Sequence, residues 1–153
     1  LDRKALGLAP ASDAAAGVYK LRAARGKGDG TIVIQGSGIT YAFVEEALPL
    51  LDGEGIDLNV FYVASAELFD LLPAEEQERI FPRELAEDAM GISGFTLPTM
   101  YRWIRSERGR AMTLYPFRKG HYLGSGQADK VIEEAGLDGR SQFEAILRFV
   151  KEK

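Results

Sequence analysis

The chain has 153 residues, a formal net charge of -4, no cysteine and a single histidine, His121. A chain of this size forms one ordinary domain and buries roughly 68–70% of the surface its unfolded form exposes, so no disulfide or structural metal is needed to hold a core. Thiol catalysis, disulfides, cysteine-ligated zinc, multi-histidine metal sites and two-imidazole mechanisms are excluded by composition, and the acidic balance predicts no nucleic-acid or anionic-membrane partner.

Residues 1 to 16 mix charge, alanine and one proline without clear periodicity. They read as a linker or the tail of a preceding domain, poorly packed, with a domain over 17–153. Leu1 stands where a methionine would, and the opening has neither the basic start nor the apolar stretch of a signal peptide. These points predict a piece of a longer, cytoplasmic protein. No run approaches 18 apolar residues, so no membrane-spanning helix is expected.

Val18 to Arg22 alternates, with Val18, Lys20 and Arg22 on one face and Tyr19 and Leu21 on the other, as an edge strand would. Arg25 to Gly30 is a glycine-rich turn. Thr31 to Ile34 is a β-branched run with the composition of a strand covered on both faces. After Gly36-Ser37-Gly38, the residues Ile39, Phe43, Ala47 and Leu50 or Leu51 recur at helical spacing, and Pro49 should distort or end that helix. Leu58 to Val63 is the second central strand. Strand, helix and strand form one parallel β-α-β unit, and the chain is therefore an α/β protein.

Residues 66 to 82 are acidic and helical, punctuated by Pro73 and Pro82. The segment ELAEDAMG fits either a short strand or a helical turn. Pro98 can open a helix whose apolar face is Met100, Trp103 and Ile104, and Met112 to Tyr115 is a further strand candidate. A helix after Ser125 turns Val131, Ile132 and Ala135 inward and stops at Gly136. Ser141 and Glu144 have the spacing of a capping box, and Phe143, Ile146, Leu147 and Val150 follow as the inward stripe of a last helix.

Several motifs invite chemistry. Strand, Gly36-Ser37-Gly38 and helix look like half of a dinucleotide fingerprint, with Ser37 and Gly38 as candidates for holding a small anion. Tyr41 stands where the third glycine should be, and Asp57 precedes its strand instead of ending it, so a plain strand-to-helix turn is the competing reading. Gly28-Asp29-Gly30 with Asn59, the only asparagine, imitates a diphosphate and magnesium motif. A strand follows it where a helix should, and a turn role for Asp29 fits better.

His121 has no second imidazole or thiol to work with, which leaves a solvated residue or a contact to a phosphate or partner domain. From Arg102 to His121 the chain carries a net +5, and from Glu67 to Asp88 a net -6. Such opposed patches, with Arg102, Arg105 and His121 on the basic one, either pair across an interface or stay as solvated faces. No G-x-S-x-G elbow exists, and the paired glutamates lie on diverging helical directions.

Taken in order, Gly17-Val18-Tyr19-Lys20-Leu21, Gln35-Gly36-Ser37-Gly38-Ile39, Ser65-Ala66-Glu67-Leu68-Phe69-Asp70, the acidic helix Glu76 to Pro82, Trp103 and the loop His121 to Ala128 resemble the C-terminal domain of transketolases. Homodimeric pyruvate dehydrogenase first components and deoxyxylulose phosphate synthases carry the same kind of last domain. The likeness runs from Gly17 to Val150, although HYLGSG replaces the commoner closing loop and the segment from Met90 to Ser106 is longer.

The resemblance implies a three-layer α/β/α domain with about five strands, mostly parallel with one antiparallel edge, and it favours a strand within ELAEDAMG. It also implies a parent enzyme that moves two-carbon ketol units between sugar phosphates, with thiamine diphosphate and magnesium held by preceding domains of the same polypeptide in a homodimer. In that frame no catalytic, cofactor-binding or metal residue falls on this chain. Two other readings are an anion-binding regulatory module at Gly36 to Ile39 and a dimerisation element using the two charged patches.

Overall fold

A computed structural model describes residues 1–152. Four strands form one sheet in the order β1-β3-β2-β4, where β1 is Val18–Arg22, β2 is Gly30–Gln35, β3 is Leu58–Val63 and β4 is Ala89–Ser93. β2 pairs in parallel with both β3 and β4, and β1 runs antiparallel to β3 at the edge. The expected fifth strand is a single parallel bridge from Leu114 to Ile92, outside β4. Parallel neighbours need a covering crossover, and the sheet accordingly carries helices on both faces.

The two faces divide the apolar residues by strand alternation. Tyr19, Leu21, Ile32, Ile34 and Val60 turn to one layer, packed under Phe43, Ala47, Leu51, Ile146 and Phe149. Val18, Val33, Phe61 and Val63 turn to the other, against Phe69, Phe81, Met100, Trp103 and Ile104. A one-residue slip would exchange these sets, so the register Ile32 to Val60 and Val33 to Phe61 is fixed by burial on both sides. Each such side chain contributes about 1.5–3 kcal/mol when fully buried.

The crossover from β2 to β3 is one helical run with a change of pitch inside it. Helix α1, Ser37–Ala42, passes into a π-helical turn at Phe43–Ala47 and then into α2, Leu48–Gly53. Pro49 lacks the N–H that an α turn would use, and widening the preceding turn accommodates its ring without ending the helix. Phe43, Val44 and Ala47 stay buried through the bulge.

The crossover from β3 to β4 covers the opposite face with α3, Ala66–Asp70, α4, Ala74–Ile80, and α5, Arg83–Glu87. Ser65 caps α3 by accepting the Leu68 N–H at 3.2 Å, and Pro73 and Pro82 stand at the N-caps of α4 and α5. The prolines thus cut the acidic stretch into short helices. The ELAEDAMG segment splits between α5 and β4, so both readings of it hold for different halves.

Pro98 opens only a short 3-10 turn, Leu97–Met100, yet Met100, Trp103 and Ile104 are buried as the spacing implied. Next come α6, Glu107–Met112, α7, Ala128–Ala135, and α8, Gly139–Lys151. The capping box at Ser141 and Glu144 does not form. Asp138 is the cap, accepting the Ser141 N–H at 3.1 Å, while Glu144 pairs with Arg140 at 2.7 Å. The inward stripe rotates accordingly to Gly139, Gln142, Ile146 and Phe149, leaving Phe143, Leu147 and Val150 half-buried. Gly139 sets this start, because any Cβ there would lie 2.2 Å from the Glu46 Cβ.

Residues 1–16 pack on the domain, contrary to the expectation of a loose segment. Leu8 is buried in the first core layer, with Leu6, Ala9 and Ala14 against it. The Ala9 N–H donates to the Leu21 carbonyl at 2.8 Å, and a 3-10 turn at Ala11–Ala16 leads into β1.

Candidate functional site

In an open parallel sheet, ligands enter at the C-terminal strand ends where neighbouring connections depart in opposite directions. Here that crevice lies between β2, whose chain crosses to β3, and β4, whose chain continues to Leu114 on the other side. Gln35 and Ser93 end the two strands. The Gly94 N–H donates to the Gln35 carbonyl at 2.8 Å, and Gln35 Oε1 accepts the Thr99 hydroxyl at 2.9 Å and the Ser93 hydroxyl at 3.4 Å. These polar groups close the crevice on one another.

Gly36 has φ of 122°, a conformation open to glycine, and its carbonyl accepts the Thr40 hydroxyl at 2.6 Å. Ser37 and Gly38 follow, both exposed. A Cβ on Gly38 would meet nothing within 4 Å, so no close backbone approach demands a glycine there. The Gly36 turn has the geometry of the plain strand-to-helix reading.

Arg102 and Arg105 lie elsewhere. Arg102 Nη1 pairs with Asp70, Nη2 donates to Gln77 at 3.0 Å, and the guanidinium stacks over Trp103 at 4.7 Å and Phe69 at 5.2 Å. The acidic and basic patches therefore meet inside the domain, at this clamp. Arg105 is exposed beside the same groove. Arg108 donates to the Phe149 carbonyl, Arg110 to the Ile104 carbonyl at 2.8 Å and Arg118 to the Ala111 carbonyl at 3.0 Å. Most of the positive patch thus satisfies carbonyl oxygens.

His121 sits on the loop before α7, with its Nε2 3.7 Å from Glu134 Oε1. The Glu134 carboxylate also accepts the Gly124 N–H, at 3.2 Å. His121, Thr96, Phe117, Gly120 and Tyr122 surround a shallow depression of about 550 Å³. Ser37, Arg102 and His121 thus line three separate depressions and share no reacting centre.

The Gly28-Asp29-Gly30 segment lies at the N-terminal end of the strands. Asp29 Oδ2 accepts the Asp57 N–H at 2.7 Å, and Asn59 Oδ1 accepts the Ala24 N–H at 3.2 Å. Both side chains hold the β1–β2 loop. Among the described residues no group of three or more histidine, cysteine, aspartate or glutamate side chains can hold a metal ion, and no helix is long and apolar enough to cross a membrane.

Asp57 anchors the same loop. Its carboxylate accepts the Arg25 and Gly26 N–H groups at 2.9 Å each, and these bonds to the charged form hold its pKa below the ordinary 3.8. A depressed native pKa gives stability that is present above the unfolded value and lost as pH falls through the folded one. Asp57→Asn should therefore lower stability at about pH 6 and shrink the loss seen on acidification to about pH 2.5, as measured by urea midpoints at both.

The first of these, the depression that Ser37 lines, is about 310 Å³ and has a different character. Arg3, Tyr19, Tyr41, Tyr62, Ser37 and Thr40 line it, and no carboxylate does. Only Ser37 was singled out in the sequence, because the others come from four separate segments with no shared spacing. The Tyr19 and Tyr62 rings meet edge to face with centroids 6.0 Å apart.

No protein-family model matches the chain, and no curated protein matches it in sequence. Solved structures do. A transketolase from Leishmania mexicana superposes with a TM-score of 0.68 at 16% identity, over 92% of this chain and 19% of its own. One from Campylobacter jejuni gives 0.64 at 21% identity, over 88% and 19%. One from Pichia stipitis, in complex with sedoheptulose 7-phosphate, gives 0.66 at 20% identity, over 95% and 20%. The chain spans about a fifth of the length of the transketolases it matches, and its four-stranded, mostly parallel sheet with helices on both sides has the fold of a transketolase C-terminal domain.

Proposed function

We propose that this chain is the non-catalytic C-terminal domain of a thiamine-diphosphate-dependent, transketolase-like enzyme that transfers two-carbon ketol units between sugar phosphates. One observation carries the reading: nearly the whole chain superposes on one fifth of each matched transketolase. In this reading thiamine diphosphate and magnesium are held by preceding domains of the same polypeptide, and this domain supports a homodimer of the parent enzyme.

The chain by itself should be inert. With thiamine diphosphate, magnesium, a ketose phosphate donor and an aldose phosphate acceptor, no product should form above the protein-free background. Turnover that scales with the concentration of this chain would overturn the non-catalytic assignment.

A further inference from the structure

In the depression beside Arg3, positive charge, hydroxyl donors and apolar surface converge with no carboxylate among the lining residues. Arg3 reaches it from the N-terminal segment, anchored through Nη1 to the Ala9 carbonyl at 2.9 Å and the Tyr19 hydroxyl at 3.3 Å. The guanidinium is therefore positioned by backbone and phenol and is not neutralised by an acid: among the described residues it makes no ion pair. Leu1, Leu8, Leu21 and Val44 supply the apolar part of the wall. A small recess that joins an apolar wall to convergent polar groups has the composition of a ligand site.

The hydroxyls add a direction. The Tyr62 and Tyr41 hydroxyls make no hydrogen bond to another protein group among the described residues, and both residues border the recess with Arg3. Burial, with the neighbouring Tyr19 and Tyr41 phenols, raises the Tyr62 pKa above its ordinary 10.0, so this phenol stays protonated and donates. The fixed Arg3 guanidinium, protonated hydroxyls and the absence of a lining carboxylate select against cations and in favour of an oxyanion. The aliphatic wall and the Tyr19–Tyr62 pair select an apolar body behind it.

We propose that this recess binds a small organic anion, a carboxylate or phosphate carried on an apolar or aromatic body, with Arg3 as its counter-ion and Tyr62, Tyr41 and Ser37 as hydroxyl donors. The assignment rests on the recess alone and stands whether or not the chain belongs to a transketolase-like parent.

The test is a titration of the whole chain followed by amide chemical shifts, with benzoate, phenyl phosphate, inorganic phosphate and benzyl alcohol as probes. Benzoate or phenyl phosphate should saturate shifts at Thr40, Val44 and Tyr62, and the better of the two tells which oxyanion the recess prefers. Arg3→Met should weaken that binding about tenfold or more, as loss of a charge-assisted contact does. Tyr62→Phe should weaken it by a smaller factor with the remaining spectrum unchanged, and Arg102→Met should leave it unaltered. The proposal fails if neither organic anion saturates these shifts, if Arg3→Met binds as the original chain does, or if benzyl alcohol binds as tightly as benzoate. Inorganic phosphate binding as tightly as phenyl phosphate would overturn the organic class of ligand.

Discussion

Trp103→Ala should lower the unfolding free energy by about 3–5 kcal/mol, read as a shift of the urea midpoint at unchanged slope. Trp103 is 2% exposed and sits at the centre of an aromatic chain. Its ring meets Phe69 at 5.6 Å and 64°, and Phe81 at 5.6 Å and 80°, while Phe81 meets Phe61 of β3 at 4.8 Å and 87°. Truncation removes two edge-to-face pairs and the surface on which Arg102 lies, and leaves a cavity between the sheet and α3–α5. The control is Tyr122→Ala: Tyr122 is 89% exposed, and the change should stay within about 0.5 kcal/mol. If both variants unfold at the same midpoint as the original chain, Trp103 does not hold that face.

Gly17→Ala should cost about as much, for a backbone reason. Gly17 has φ of 80°, and an added Cβ would stand 2.3 Å from the Ser65 carbonyl oxygen and 2.5 Å from the Phe69 nitrogen. Its own carbonyl accepts the Ala64 and Ser65 N–H groups at 2.8 and 2.9 Å, tying the start of β1 to the end of β3. A side chain there adds steric overlap, about 1–3 kcal/mol, to an unfavourable backbone conformation of similar size. Gly120→Ala separates the two contributions, since Gly120 has φ of 77° with nothing within 4 Å of the new Cβ. The Gly17 variant should therefore be clearly less stable than the Gly120 variant in thermal or urea unfolding, and equal losses would show that the close approach to Ser65 carries no weight.

The parallel β-α-β unit was legible because β2 and β3 are short apolar runs and the residues between them repeat at helical spacing. These signals are local. What was misread depended on contacts between distant segments. Asp138 and Ser141 are both good helix caps three residues apart, and only the packing of Gly139 against Glu46 makes Asp138 the one used. Leu8 carries no periodicity of its own and is buried because it joins the core layer of Tyr19, Leu21 and Val44, which lie far along the chain. The opposed charges of residues 67–88 and 102–121 were visible, but their pairing at Asp70 and Arg102 needed the chain to turn through β4 first. The recess beside Arg3 is illegible for the same reason, since its polar groups are drawn from residues 3 to 62.

The ends of the sheet have one more consequence. Beyond β4 the only strand pairing among the described residues is at Leu114, whose N–H and carbonyl bond Gly91 and Ser93, and alongside β1 the Ala9 N–H occupies the Leu21 carbonyl. Both rims are thus stopped by chain that is not itself a strand, which denies an incoming extended peptide a continuous row of donors and acceptors. Copies of this molecule, or a neighbouring domain, must therefore meet it through helices and loops, and not by lengthening its ladder.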